Sequence, residues 1–95
     1  MWFYTPFFTY ILFSQKTESH YFGHSEDLTR RLNNHNKGKV KSTKSGRPWL
    51  ILYSEEFSTK SEAFQREKFF KSLEGRKWLY DNNILQKKEA RLILP

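Results

Sequence analysis

Cysteine is absent from this 95-residue chain, which excludes a disulfide framework and thiolate metal sites. The three histidines, His20, His24 and His35, are scattered and make no metal-ligand spacing. Acidic residues are few, 10 against 17 Lys and Arg, and none falls between Leu28 and Ser54. Long apolar runs are missing too. The opening MWFYTPFFTYILF is apolar for 13 residues, but it carries Pro6, lacks a basic flank and is too short to span a bilayer. It reads as a strand, and the expectation is a cytoplasmic protein with no membrane association. At this length the chain has room for one modest core.

What is present is aromatic and basic. Aromatic residues make up 18% of the chain and the formal net charge is +7, so core-forming capacity is combined with attraction to polyanions. Phe7 to Ser14 and His20 to His24, joined by the polar QKTES, predict an antiparallel hairpin. Ser25 as N-cap, with Glu26 and Asp27 in the first turn, predicts a helix to about Asn36. NKGKVKSTKSGRP reads as a loop, and the apolar run WLILYSEEF as a third, buried strand. Thr59 or Ser61 caps a second helix ending near Leu73, Gly75 interrupts it, and RKWLYDNNIL resumes helical spacing. The division predicted is a domain over 1–84 and an extension over 85–95, a short helix or frayed tail.

Two helices carry charge on faces that should be apolar. Leu28, Arg31, Leu32 and His35 share one face of the first. On the second, Glu67 lies in the stripe formed by Ala63, Phe64, Phe70 and Leu73. A charge facing a core is costly unless something of opposite sign meets it. An arginine snorkelling at the core edge accounts for Arg31 alone, and an Arg31–Glu67 ion pair accounts for both without any chemistry. Tyr10 and Tyr21, near the middle of the hairpin strands, add a further pair of reactive groups, although strand tyrosines commonly only pack. Gly23 marks a close backbone approach nearby.

The basic charge is local. Arg30, Arg31, Lys37, Lys39, Lys41, Lys44 and Arg47 supply seven positive charges within the acid-free stretch. Such a run can be a solvated loop. Following an inward-facing arginine, Lys37, Lys39, Lys41, Lys44 and Arg47 read as contacts to a nucleic-acid backbone.

These residues, in this order, resemble the GIY-YIG nuclease domain in its small stand-alone group. The first signature triplet is matched by Thr9-Tyr10-Ile11 and the second by Tyr21-Phe22-Gly23. Arg31 in DLTRRLNNH, His35 one turn later and Glu67 in SEAFQREKFFKS match the family's arginine, histidine and metal-binding glutamate; the resemblance covers about residues 7 to 80. Thr9 replaces the first triplet's glycine and Phe22 the second's isoleucine, and neither change removes a reactive group. His24, after the second triplet, reads as a surface histidine rather than a basic neighbour for a tyrosine. The family's late asparagine corresponds to Asn82 or Asn83.

The resemblance implies an α+β fold, a three-stranded antiparallel sheet flanked by helices, and a metal-dependent endonuclease acting on DNA phosphodiesters in repair, recombination or degradation of foreign DNA. Glu67 would hold one Mg²⁺ or Mn²⁺. Arg31 would meet the scissile phosphate, His35 would hydrogen-bond the phosphate or a tyrosine, and Tyr10 or Tyr21 would orient or deprotonate the attacking water. The substrate could be duplex, branched or single-stranded DNA, or RNA. The rival expectation is a catalytically silent nucleic-acid-binding module held by an Arg31–Glu67 pair.

Overall fold

The structure is a computed structural model that describes residues 4–86. Three strands, β1 (Phe7–Ser14), β2 (Ser19–Ser25) and β3 (Trp49–Phe57), form one antiparallel sheet in the order β2-β1-β3. Helix α1 (Leu28–Asn36) and a 3-10 turn, Lys41–Gly46, lie between β2 and β3, and α2 (Lys60–Lys71) and α3 (Leu73–Asp81) follow. The expected α+β architecture is thus present. Among the described residues no helix is long and apolar enough to cross a membrane.

The central strand explains the layering. Thr9, Tyr10, Ile11 and Leu12 are all buried, and since successive strand residues face opposite sides, both faces of β1 must be covered. Tyr10 and Leu12 join Trp49 in one cluster, against which Tyr21, Leu28 and Leu32 pack. Ile11 joins Phe22, Phe70, Leu79 and Leu85 in the other. Helix α1 therefore serves one face and α2 with α3 the other. Phe22, the substituted isoleucine, is a core residue of the second face.

Several boundaries differ from expectation. Asp27, not Ser25, caps α1, because its side chain accepts from the Arg30 amide. Thr59 caps α2 in a reciprocal capping box with Glu62. The break after α2 falls at Ser72, whose extended backbone ends one helix and whose hydroxyl caps the next by accepting from Gly75 N–H. Gly75 thus belongs to α3's first turn. A Cβ there would stand 1.7 Å from the Phe69 carbonyl oxygen, so glycine lets the helices meet. This break turns Leu73 outward, 90% exposed, and removes it from the predicted apolar stripe; Phe64 is also exposed, while Ala63 and Phe70 are fully buried.

Strand β3 is not buried as its composition predicts. Only Trp49 is buried, while Leu50, Ile51 and Leu52 are 53%, 41% and 41% exposed. The physical reason is its edge position, which a continuous apolar run does not reveal. Pairing with β1 also shifts between Ile11 and Leu12, whose partners are Tyr53 and Ile51, leaving Leu52 as an extra residue. The predicted basic loop is ordered by its 3-10 turn. Trp49 Nε1–H donates to the Thr43 carbonyl at 2.7 Å, Ser14 Oγ to the Gly46 carbonyl at 2.6 Å, and Asn36 clamps both backbone groups of Trp49. From residue 87 the predicted C-terminal extension lies outside the described residues, and Leu85 packs into the core.

Candidate active site

Hairpin register places the two tyrosines. Tyr10 pairs with Gly23 and Leu12 with Tyr21, so Tyr10, Tyr21 and Gly23 share a face. The Tyr10 ring lies across Gly23, where a Cβ would come within 2.6 Å of the tyrosine hydroxyl. The glycine is therefore required by Tyr10 itself. Ring centroids of Tyr10 and Tyr21 are 6.3 Å apart, and the edge-on His35 ring is 4.7 Å from Tyr21.

His35 comes from the inward face of α1 and is fully buried. Its partners fix its tautomer: Thr43 Oγ1 donates to the Val40 carbonyl and so accepts from His35 Nδ1–H at 2.8 Å, leaving Nε2 to accept from the Tyr10 hydroxyl at 3.2 Å. Burial, with the nearby Arg31 charge, pushes the His35 pKa down to about 4, so the ring is neutral at pH 7. Burial pushes Tyr10 up to about 12, with the Arg31 hydrogen bond working against it. Arg31 Nε donates to the Tyr10 oxygen at 3.4 Å, and that bond leads the causes that raise the arginine's own pKa.

Glu67 does look inward, only 8% exposed, but it does not meet Arg31. Its Oε1 lies 2.6 Å from His24 Nδ1 and its Oε2 2.7 Å from Lys71 Nζ. Burial raises the carboxyl pKa, but the His24 and Lys71 hydrogen bonds and the Lys71 charge outweigh it and hold it below the ordinary value. Among the described residues, Arg31 has no carboxylate within ion-pair distance. It lines a cleft of about 150 Å³ together with His24, Ser25, Glu26, Asp27, Arg30 and Asn34.

Two participants were not singled out from sequence, and a third, His24, was assigned a different place. His24 is Glu67's partner rather than a free surface histidine; because it alternates with Gly23 on β2, it points to the α2 face. Lys71, one turn after Glu67, was recognisable by its i, i+4 spacing. Thr43 gave no signal, being one polar residue in a polar run. Thr9 also acquires a role: its buried hydroxyl donates to the Ala63 carbonyl at 2.6 Å, tying α2 to the sheet. Lys37, Lys39, Lys41 and Lys44 are exposed, whereas Arg47 is partly buried and its Nε donates to the Lys44 carbonyl at 2.8 Å. Asn82 Nδ2 donates to the Trp78 carbonyl, and Asn83 has a φ of 60° just beyond α3.

Comparison with known proteins identifies the family. The family described as the GIY-YIG catalytic domain matches residues 6–81. The chain belongs to the GIY-YIG family. It is 44% identical over 77 residues to the UPF0213 protein YazA of Bacillus subtilis, covering 79% of this chain and 78% of that protein. With a UPF0213 protein of Bacillus velezensis, RBAM_000440, it is 42% identical over 71 residues, covering 74% and 71%. The solution structure of the UPF0213 protein BH0048 from Bacillus halodurans superposes with a TM-score of 0.50 at 27% identity, over 93% and 94% of the two chains. In the hairpin, Thr9-Tyr10-Ile11 and Tyr21-Phe22-Gly23 are offset by one residue: Tyr10 pairs with Gly23 and Ile11 with Phe22, while Thr9 faces His24 and Tyr21 faces Leu12.

Whether the GIY-YIG site of this chain suits a divalent metal follows from its donors. Among the described residues no three His, Cys, Asp or Glu side chains cluster. Glu67 nevertheless offers an ionised carboxylate at a partly open position, its side chain 11% exposed beside the 24% exposed His24. One carboxylate suits a hard cation that keeps most of its water, so the residues fit a single weakly held ion.

Proposed function

We propose that this chain is a metal-assisted endonuclease hydrolysing phosphodiester bonds, with DNA as the substrate. The observation that carries the reading is the separation of Arg31 from Glu67. Arg31 meets tyrosine and lines a cleft, while His24 and Lys71 satisfy the carboxylate. An ion pair that explains both charges by architecture is not what the described residues make.

In this reading Arg31 binds the scissile phosphate with the guanidinium nitrogens that Tyr10 does not use, stabilising charge that develops on its oxygens. Tyr10 is a poor base, since its proton is held by His35 and burial pushes its pKa up to about 12. Its task is to hold Arg31. Tyr21, half-buried beside His35, is left to orient the attacking water. Glu67 holds the divalent ion, Mg²⁺ or Mn²⁺, which when bound supplies Lewis acidity to the phosphate and the leaving oxygen. The exposed Lys37, Lys39, Lys41 and Lys44 contact neighbouring phosphates and carry little sequence preference.

The test is cleavage of supercoiled, single-stranded and branched DNA, and of RNA, with Mg²⁺, Mn²⁺ or EDTA, followed by Arg31→Ala. Because Arg31 neutralises no described carboxylate, the variant should change unfolding stability by less than about 1 kcal/mol. Its single-turnover cleavage should fall about 10²- to 10³-fold. Cleavage that persists in EDTA removes the metal assignment. An inactive wild type, with Arg31→Ala destabilised by about 3 to 5 kcal/mol as expected for a broken buried pair, would return the chain to the silent-module reading.

A further inference from the structure

The geometry points to His24 as a second protein ligand, so that His24 and Glu67 form a mixed nitrogen and oxygen site that prefers transition ions such as Co²⁺ or Ni²⁺ to Mg²⁺. This rests on Glu67 being the metal-holding carboxylate. Nδ1 of His24 and Oε1 of Glu67 are 2.6 Å apart. Two donors at about 2.1 Å from one ion and at right angles to each other are about 3.0 Å apart, so the pair needs to open by only a few tenths of an ångström. The ion then takes the place of the shared proton: the ring ligates through Nδ1 as the neutral tautomer with its one proton on Nε2, and any second ring proton leaves to solvent.

Both donors are held from separate elements. His24 is fixed in β2 with its ring 5.3 Å from that of Phe64. Glu67 is fixed in α2, with Lys71 on its second oxygen and the Thr9 bond anchoring the helix one turn earlier. Access is open as well. His24 lines the cleft that Arg31 reaches and a second one of about 260 Å³ with Phe7, Ser25, Glu26 and Lys60, so water and a phosphate oxygen can complete the coordination shell. Imidazole suits Co²⁺, Ni²⁺ and Zn²⁺, whereas Mg²⁺ favours oxygen alone, so the nitrogen confers the preference.

The experiment measures metal binding without DNA, on metal-free wild type, His24→Phe, His24→Asn and Glu67→Gln, each checked for folding by circular dichroism. Co²⁺ is followed by its visible absorption, and Co²⁺ and Mg²⁺ by calorimetry. Phenylalanine keeps the ring without nitrogen, and asparagine keeps an N–H donor for Glu67 without the imidazole lone pair. Wild type should bind Co²⁺ more tightly than Mg²⁺, and both His24 variants should lose at least about tenfold in Co²⁺ affinity while Mg²⁺ affinity moves less than about twofold. Unchanged Co²⁺ affinity in both His24 variants overturns the second ligand. If Glu67→Gln weakens both ions while the His24 variants weaken neither, only this inference fails; if Glu67→Gln weakens neither ion, the assignment of Glu67 itself fails.

Discussion

The two polar clusters of this GIY-YIG chain are built in opposite ways. On the α1 side, Tyr10, His35 and Thr43 form a closed file in which each group has an internal partner and each is at most 1% exposed. On the α2 side, Glu67 is bonded to His24 and Lys71, whose side chains are 24% and 52% exposed. The first file can only hold a geometry, because replacing a partner leaves a buried polar group unsatisfied. The second can exchange partners with a ligand at modest cost, because water reaches it. Rigidity on one side and replaceable contacts on the other are what positioning a phosphate and accepting an ion each require.

The comparison breaks most sharply at Glu67. Glu67→Gln keeps the shape and one acceptor oxygen but removes the charge and the second acceptor, and it should abolish detectable cleavage while DNA affinity, read by fluorescence anisotropy, stays within about threefold of wild type. Wild-type cleavage by this variant would make the open cluster architectural.

His35→Phe tests the closed file. It leaves the Tyr10 hydroxyl without its acceptor in a buried place and should cost about 1 to 3 kcal/mol in urea unfolding. A loss below about 0.5 kcal/mol would mean that water enters the file.

The pH dependence of stability separates the clusters next. In the folded chain His35 resists protonation down to about pH 4, whereas in the unfolded chain it takes a proton near its ordinary 6.5. The unfolded state therefore binds more protons between those values. Stability should be full above about pH 6.5 and decline as pH falls toward 4. His35→Phe should flatten that segment of the profile. Glu67, whose carboxyl is held below its ordinary 4.5, contributes in the same direction at lower pH. Unfolding midpoints across pH 3 to 8 check both signs.

The smallest effect belongs to the exposed lysines. Replacing Lys37, Lys39, Lys41 and Lys44 by glutamine should weaken DNA binding alike for all sequences. If two of them touch phosphates, the slope of log affinity against log salt should shrink by about two, each contact contributing roughly 0.9. An unchanged slope would route the nucleic acid away from the 3-10 turn.

The order of strands and helices was legible because local signals agreed: aromatic hairpin strands, Thr59 before an acidic turn, and Trp49 opening an apolar run. So was the inward placement of Arg31, His35 and Glu67, which follows from helix period. What stayed hidden depended on tertiary partners. Period places Glu67 inward but cannot say that a strand histidine 43 residues earlier meets it. The exposure of Leu50, Ile51 and Leu52 was hidden for the same reason, since hydrophobic content does not distinguish an edge strand from a central one.

Thr9 sets one last condition on this arrangement. The Ala63 carbonyl that accepts its hydroxyl is also, by the i to i−4 rule, the acceptor for the backbone amide of Glu67. One oxygen thus records two events at once, the seating of α2 on the sheet and the closing of the helical turn that bears the carboxylate. Exchange of the Glu67 amide with deuterium is consequently a local clock for the joint between hairpin and helix, readable in solution without substrate, metal or any substitution.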